Sequence, residues 1–135
     1  IKDATGDKAR GLELIERCSD RLAVYSGEDA LNCELILAGA KGAISVTANV
    51  APAQMAKVCS LALSGDAAAA SAADASLQEL HSKLFVEANP VPVKWALQRL
   101  GKIAPGIRLP LVELADEYHV EVEAALRAAK LDAGH

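Results

Sequence analysis

The sequence predicts an α/β chain in which short parallel strands alternate with helices and then give way to helices alone. Three observations predict it. The apolar runs "IKDAT", "LAVYS" and "GAISV" recur about every 20 residues, and each is followed by a helical pattern of about 12 residues. The runs read as near-continuously apolar rather than alternating, the mark of parallel strands covered on both faces. After Gly65 no further strand pattern follows; helical periods and turn signals take over.

The elements follow in order. "IKDAT" reads as the C-terminal part of a strand. "KARGLELIERCS" places Leu12, Ile15 and Cys18 at helical spacing. "LAVYS" is the second strand and ends at Ser26-Gly27. "EDALNCELILAGA" is a helix whose acidic first turn suits the positive end of its dipole, with Gly39 as its stop. "GAISV" is the third strand, β-branched at Ile44 and Val46. Pro52 fits a first helical turn, and "AQMAKVCSLALSG" continues it. Beyond Gly65, "DAAAASAADASLQELHSKLFVEA" predicts one long Ala-rich helix. "VPVKWALQRLG" predicts a shorter helix between Pro92 and Gly101, "GIRLPLVEL" an extended connector, and "ADEYHVEVEAALRAAKL" a last amphipathic helix. Trp95, Leu97 and Leu100 form a packing stripe, as does Met55 with Cys59. Three βα units cannot close a sheet into a barrel, so the pattern predicts the tail of a longer polypeptide.

Composition excludes several classes of partner. The chain is 52% hydrophobic, but much of that fraction is Ala, and no apolar run approaches the roughly 20 residues of a membrane span. The formal net charge is −4 and the 14 Lys and Arg are scattered, so neither a nucleic acid nor a membrane surface is an expected partner. Cys18, Cys33 and Cys59 are odd in number and lack CxxC spacing, which predicts reduced thiols in a cytoplasmic protein. His81, His119 and His135 have no ligand spacing with them, so no metal is expected.

In parallel α/β folds the chemistry lies at the C-terminal ends of the strands. The residues there are Lys2 with Thr5, Ser26 with Gly27, and Ile44 through Asn49. A Lys facing into a parallel sheet is desolvated, which favours the neutral amine that attacks a ketone to form a Schiff base. Position alone is weak evidence and reads Lys2 more readily as an exposed Lys. Gly27 and Gly42 permit close backbone approach to an anion or are ordinary turn glycines; neither belongs to a phosphate-binding loop. Asp3, Asp7, Glu28 and Asp29 read as helix caps and first-turn charges rather than general acids. His81 and His119 receive no chemical role.

Together, "IKDATGD", "YSGEDA", "GAKGAISVTANVAP", "LHSKLFVEANPVPVKWAL" and "RLPLVEL" resemble the C-terminal half of the dihydrodipicolinate synthase family, pyruvate-dependent class I aldolases of the N-acetylneuraminate lyase superfamily. The resemblance covers essentially the whole chain. It implies that the three strands are the sixth to eighth of a TIM (β/α)8 barrel. Residues 1–65 are then the last three βα units, and residues 66–135 the final barrel helix and a C-terminal helical domain. Lys2 matches the Schiff-base lysine, while Gly27 and Ile44 match residues lining the pyruvate pocket. Ser45, Thr47 and Asn49 are expected to shape the wall and loop beside them. Gly39-Ala40 stands where the family has Gly-Gly.

The resemblance further implies condensation of pyruvate with L-aspartate-4-semialdehyde, no cofactor, and a homotetramer built as a dimer of dimers. The Tyr relay, Thr pair and substrate-binding Arg of the family have no counterpart in these 135 residues. The chain alone is therefore expected to be inactive or nearly so. Two other readings remain open: a pyruvate–lysine aldolase acting on a 2-keto sugar acid, and a non-catalytic assembly module.

Overall fold

The computed structural model describes residues 1–18 and 20–131; His135 lies outside the described residues. Two short strands, β1 (Lys2–Asp3) and β2 (Tyr25–Ser26), pair in parallel with Lys2 opposite Tyr25 and Asp3 opposite Ser26. The third expected strand contributes one parallel bridge, Ala43 to Ser26. Its backbone nevertheless runs alongside β2: the Lys41 N–H donates to the Val24 carbonyl at 2.7 Å and the Ile44 N–H to Ser26 at 2.8 Å. The spatial order is that of the sequence, and crossovers through α1 (Lys8–Cys18) and α2 (Asn32–Leu37) make the parallel direction possible.

Asp7 caps α1, its carboxylate accepting the Arg10 N–H at 3.1 Å, so the local reading of that acid holds. Gly11 and Ile15, four residues apart, form the buried stripe of α1. A Cβ on Gly11 would lie 2.8 Å from Leu35 Cδ2, so the missing side chain is what brings α1 onto α2. Gly39, at φ +120°, follows the end of α2 as expected.

Pro52 opens α3 (Pro52–Leu63), which packs on α2 and on α4 (Ala67–Ala75). The single long Ala-rich helix is not observed. It is split into α4 and α5 (Gln78–Lys83). The Ser76 hydroxyl donates to the Ala73 carbonyl at 2.7 Å and the Leu77 N–H to Asp74 at 2.8 Å, tightening the last turn to three-residue bonds. The break buries Leu77, Leu80 and Leu84 completely. Two further helices follow, α6 (Val91–Arg99) and α7 (Asp116–Ala128). Lys83 to Glu121 and Arg99 to Glu123, each at 2.7 Å, tie α5 and α6 to α7. Trp95 stacks on His119 with ring centroids 4.6 Å apart, and Met55 is buried, so both packing stripes are observed.

Coverage of the sheet differs from expectation. The Asp3–Ser26 face is buried, but the opposite face carries exposed Lys2, Ala4, Tyr25 and Ile44. The apolar reading of the strands anticipated a cover on both faces; among the described residues no element lies over the second one.

Candidate active site

Side chains alternate across a strand, so one face of this small sheet collects Lys2 and Ala4, Tyr25 and Gly27, Gly42 and Ile44. Sequence reasoning placed Lys2, Gly27 and Ile44 in one pocket, and the structure brings them onto one face at the C-terminal ends of parallel strands. The Gly27 N–H donates to the Asp3 carbonyl at 2.7 Å, holding the two strand ends in register immediately beyond Lys2.

Gly27 is set by contact. A Cβ there would fall on Lys2 Cε and lie 2.8 Å from the Ala4 Cβ and 2.9 Å from Lys2 Cγ. The methylene chain of Lys2 therefore lies across the bare Gly27 backbone, which steers its amine along the sheet. Gly42 does the same for Tyr25: a Cβ would meet the ring at 3.3 Å, and the backbone φ is +152°. Ile44 is half exposed and forms the far wall.

The desolvation of Lys2 expected from a parallel sheet is not supplied here. Lys2 is exposed, because the face that carries it is uncovered. Its neighbours toward the helices are polar and local. Asp3 is buried, accepts from the Thr5 N–H at 3.4 Å and its hydroxyl at 3.3 Å, and lies 3.7 Å from the Arg10 guanidinium. Glu28 is half-buried beside the strand end and stands 3.8 Å from where a Gly6 side chain would begin.

Sequence reasoning read Asp29 only as a cap or first-turn charge, and it does lie in the first turn of a short helix. This residue is 1% exposed, and its carboxylate serves another segment: one oxygen accepts the Val46 and Thr47 N–H groups, both at 2.9 Å. The other accepts from the Asn32 amide at 2.9 Å. Thr47 in turn meets His81 Nδ1 at 2.8 Å, and the far ring nitrogen stands 3.5 Å from Asp74 Oδ1. Asp29 and Thr47 are 18 residues apart, and Thr47 and His81 are 34. No local spacing signals either pair. No cluster of three or more His, Cys, Asp or Glu able to hold a metal occurs among the described residues.

The model of the dihydrodipicolinate synthetase family matches residues 1–129. The chain belongs to that family. It is 54% identical over 129 residues to the 4-hydroxy-tetrahydrodipicolinate synthase of Thioalkalivibrio sulfidiphilus and 57% identical, over the same length, to that of Marinobacter nauticus. Each match takes in 96% of this chain and 44% of the relative. A crystal structure of chloride-inhibited dihydrodipicolinate synthase from Acinetobacter baumannii, complexed with pyruvate, shares the fold at a TM-score of 0.94 and 49% identity. It is matched over 97% of this chain and 45% of that one. The chain thus spans less than half the length of these family members.

Proposed function

We propose that this chain carries the nucleophile of a 4-hydroxy-tetrahydrodipicolinate synthase and that Lys2 is that nucleophile. The supporting observation is the seating of the Lys2 side chain across Gly27, on the same sheet face as Ile44 and at the strand ends where α/β enzymes do their chemistry. The neutral Lys2 amine attacks the ketone carbon of pyruvate, and water leaves to give an imine. Loss of a methyl proton gives the enamine, whose carbon attacks the aldehyde of L-aspartate-4-semialdehyde. The amine of the new chain then displaces Lys2 as the ring closes, freeing the enzyme.

Gly27 and Ile44 shape the pyruvate side of the pocket, the first by leaving room and the second as an apolar wall. Proton transfer needs a positioned acid–base group, worth about 10²–10⁴-fold in rate. The Tyr, Thr and Arg partners implied by the resemblance fall outside these residues, so the proposed reaction belongs to the protein at its native length. In that protein a complete barrel covers the face that is open here, residues 66–135 supply the final barrel helix and the helical domain, and the whole is a cytoplasmic homotetramer.

The test is turnover of pyruvate and L-aspartate-4-semialdehyde by the native-length protein, followed as loss of both substrates. Lys2→Ala is expected to abolish it. Turnover of a 2-keto sugar acid in place of the semialdehyde would assign the site to the sugar-acid branch of the same chemistry.

A further inference from the structure

A second set of polar groups lies behind the candidate site, and its burial makes it costly to leave unpaired. Asp29, Asn32, Thr47, Asp74 and His81 are all buried, and they form one connected line from the strand ends to α4 and α5. Asp29 follows Gly27 by two residues on the β2 side. Val46 and Thr47 follow Ile44 by two and three residues on the neighbouring segment. The Asp29 carboxylate, accepting both N–H groups at 2.9 Å, therefore cross-links the two strand ends just beyond the proposed pocket residues. Charge-assisted bonds of this kind are the strong ones, and a low-dielectric setting strengthens them further.

The line continues through Thr47. Its hydroxyl stands 2.8 Å from His81 Nδ1, and His81 is 2% exposed. Asp74 is held in turn by the Gln78 amide, which donates to Oδ2 at 2.6 Å. Asp74 Oδ1 and His81 Nε2 have no other hydrogen-bond partner and face one another at 3.5 Å. A proton on Nε2 directs a donor at the carboxylate and leaves Nδ1 as an acceptor, so the Thr47 O–H donates to Nδ1. Each group then has one direction to face, and the strand end inherits it.

We propose that Asp29, Thr47 and His81 form a buried positioning chain by which α4 and α5 fix the Ile44–Thr47 segment, which borders the same sheet face as Lys2 across β2. None of the three touches the substrate; they act through the backbone that carries Ile44. The functional consequence rests on the assignment of Lys2 as the Schiff-base nucleophile, but the positioning itself does not.

Two readouts on the native-length protein separate these claims. The first is amide hydrogen exchange at Ile44, Val46 and Thr47, which needs no substrate. Thr47→Val keeps the size of the side chain and removes the hydroxyl, and faster exchange at these three amides by about tenfold or more is expected; Thr47→Ser is expected to restore protection. The second is borohydride trapping of the pyruvate adduct. Thr47→Val is expected to slow adduct formation by about tenfold or more, since small misplacements at a reacting centre are amplified, and Thr47→Ser is expected to recover most of it.

Unchanged exchange in Thr47→Val overturns the positioning chain whatever the trapping shows. Faster exchange with wild-type trapping overturns its role in the reaction. Faster exchange in a protein whose wild type forms no adduct leaves the positioning intact and removes the Schiff-base assignment instead. Should Thr47→Val not fold, His81→Gln removes the ring acceptor from the other side and is read by the same exchange and trapping measurements.

Discussion

Replacing Gly27 with Ala tests how closely the strand ends must approach for Lys2 to act as the proposed nucleophile. The added methyl would fall on Lys2 Cε and lie 2.8 Å from the Ala4 Cβ. Carbon atoms rest comfortably at about 3.5 Å, so Ala4 would have to retreat by about 0.7 Å. Ala4 is carried by backbone, and the 2.7 Å bond from the Gly27 N–H to Asp3 resists parting the strands there. Lys2 is the freer partner: it is exposed and can swing off the sheet into solvent. The stability loss should thus sit at the low end of the roughly 1–3 kcal/mol typical of overpacking. The chemical loss should be larger, because displacing a reacting group by about 1 Å is worth on the order of 10²-fold. The assay is the rate at which borohydride traps pyruvate on the native-length protein, read by intact mass beside a thermal melt. Gly27→Ala should trap about 10²-fold more slowly with only a small fall in Tm. Trapping at the wild-type rate would refute the claim that bare backbone at position 27 seats the nucleophile.

Other predictions concern the helical part and the surface. Asp66→Ala removes the carboxylate that accepts the Ala69 N–H at 3.0 Å and should lower stability by about 1 kcal/mol in urea unfolding, with Asp66→Asn restoring most of it. Burial pushes the Cys33 and Cys59 thiols up, so a thiolate-selective reagent at pH 8 should label both slowly in the folded protein and rapidly after denaturation. The Arg99 guanidinium lowers the Glu123 carboxyl below its ordinary value. A depressed folded-state value gives stability that is present above the unfolded value and lost as pH falls through the folded one. Urea midpoints of Glu123→Gln and wild type should therefore differ at pH 7 and converge as the pH falls through the lowered folded-state value, with a smaller difference in high salt because the pair is exposed.

The elements legible in the sequence were those set by local pattern. The βα alternation, Pro52 at the start of α3 and Gly39 after α2 all rest on periodicity or on backbone chemistry at single positions. The split between α4 and α5 was not legible, because the Ala-rich stretch contains neither Gly nor Pro; a Ser76 hydroxyl and the burial of Leu77 decide it. The short extent of the strands was not legible either, since apolar runs report what a face prefers to pack against and not whether a neighbour is present. Lys2, Gly27 and Ile44 were placed at the strand ends by the βα pattern, took their roles from the resemblance, and share one face. The reason Gly27 has no side chain emerges only from the Lys2 chain lying over it. Asp29 does lie in a first helical turn with Asn32 as a local partner, but its bonds to the Val46 and Thr47 N–H groups reach 17 and 18 residues along the chain and leave no local signal.

The most direct test of the account is the site of covalent attachment. Native-length protein is incubated with pyruvate, reduced with borohydride and mapped by peptide mass spectrometry. One reduced pyruvyl group per chain is expected, on the peptide carrying Lys2, and none in Lys2→Ala. A folded wild-type protein that carries no adduct, or carries it on a different Lys, would contradict it.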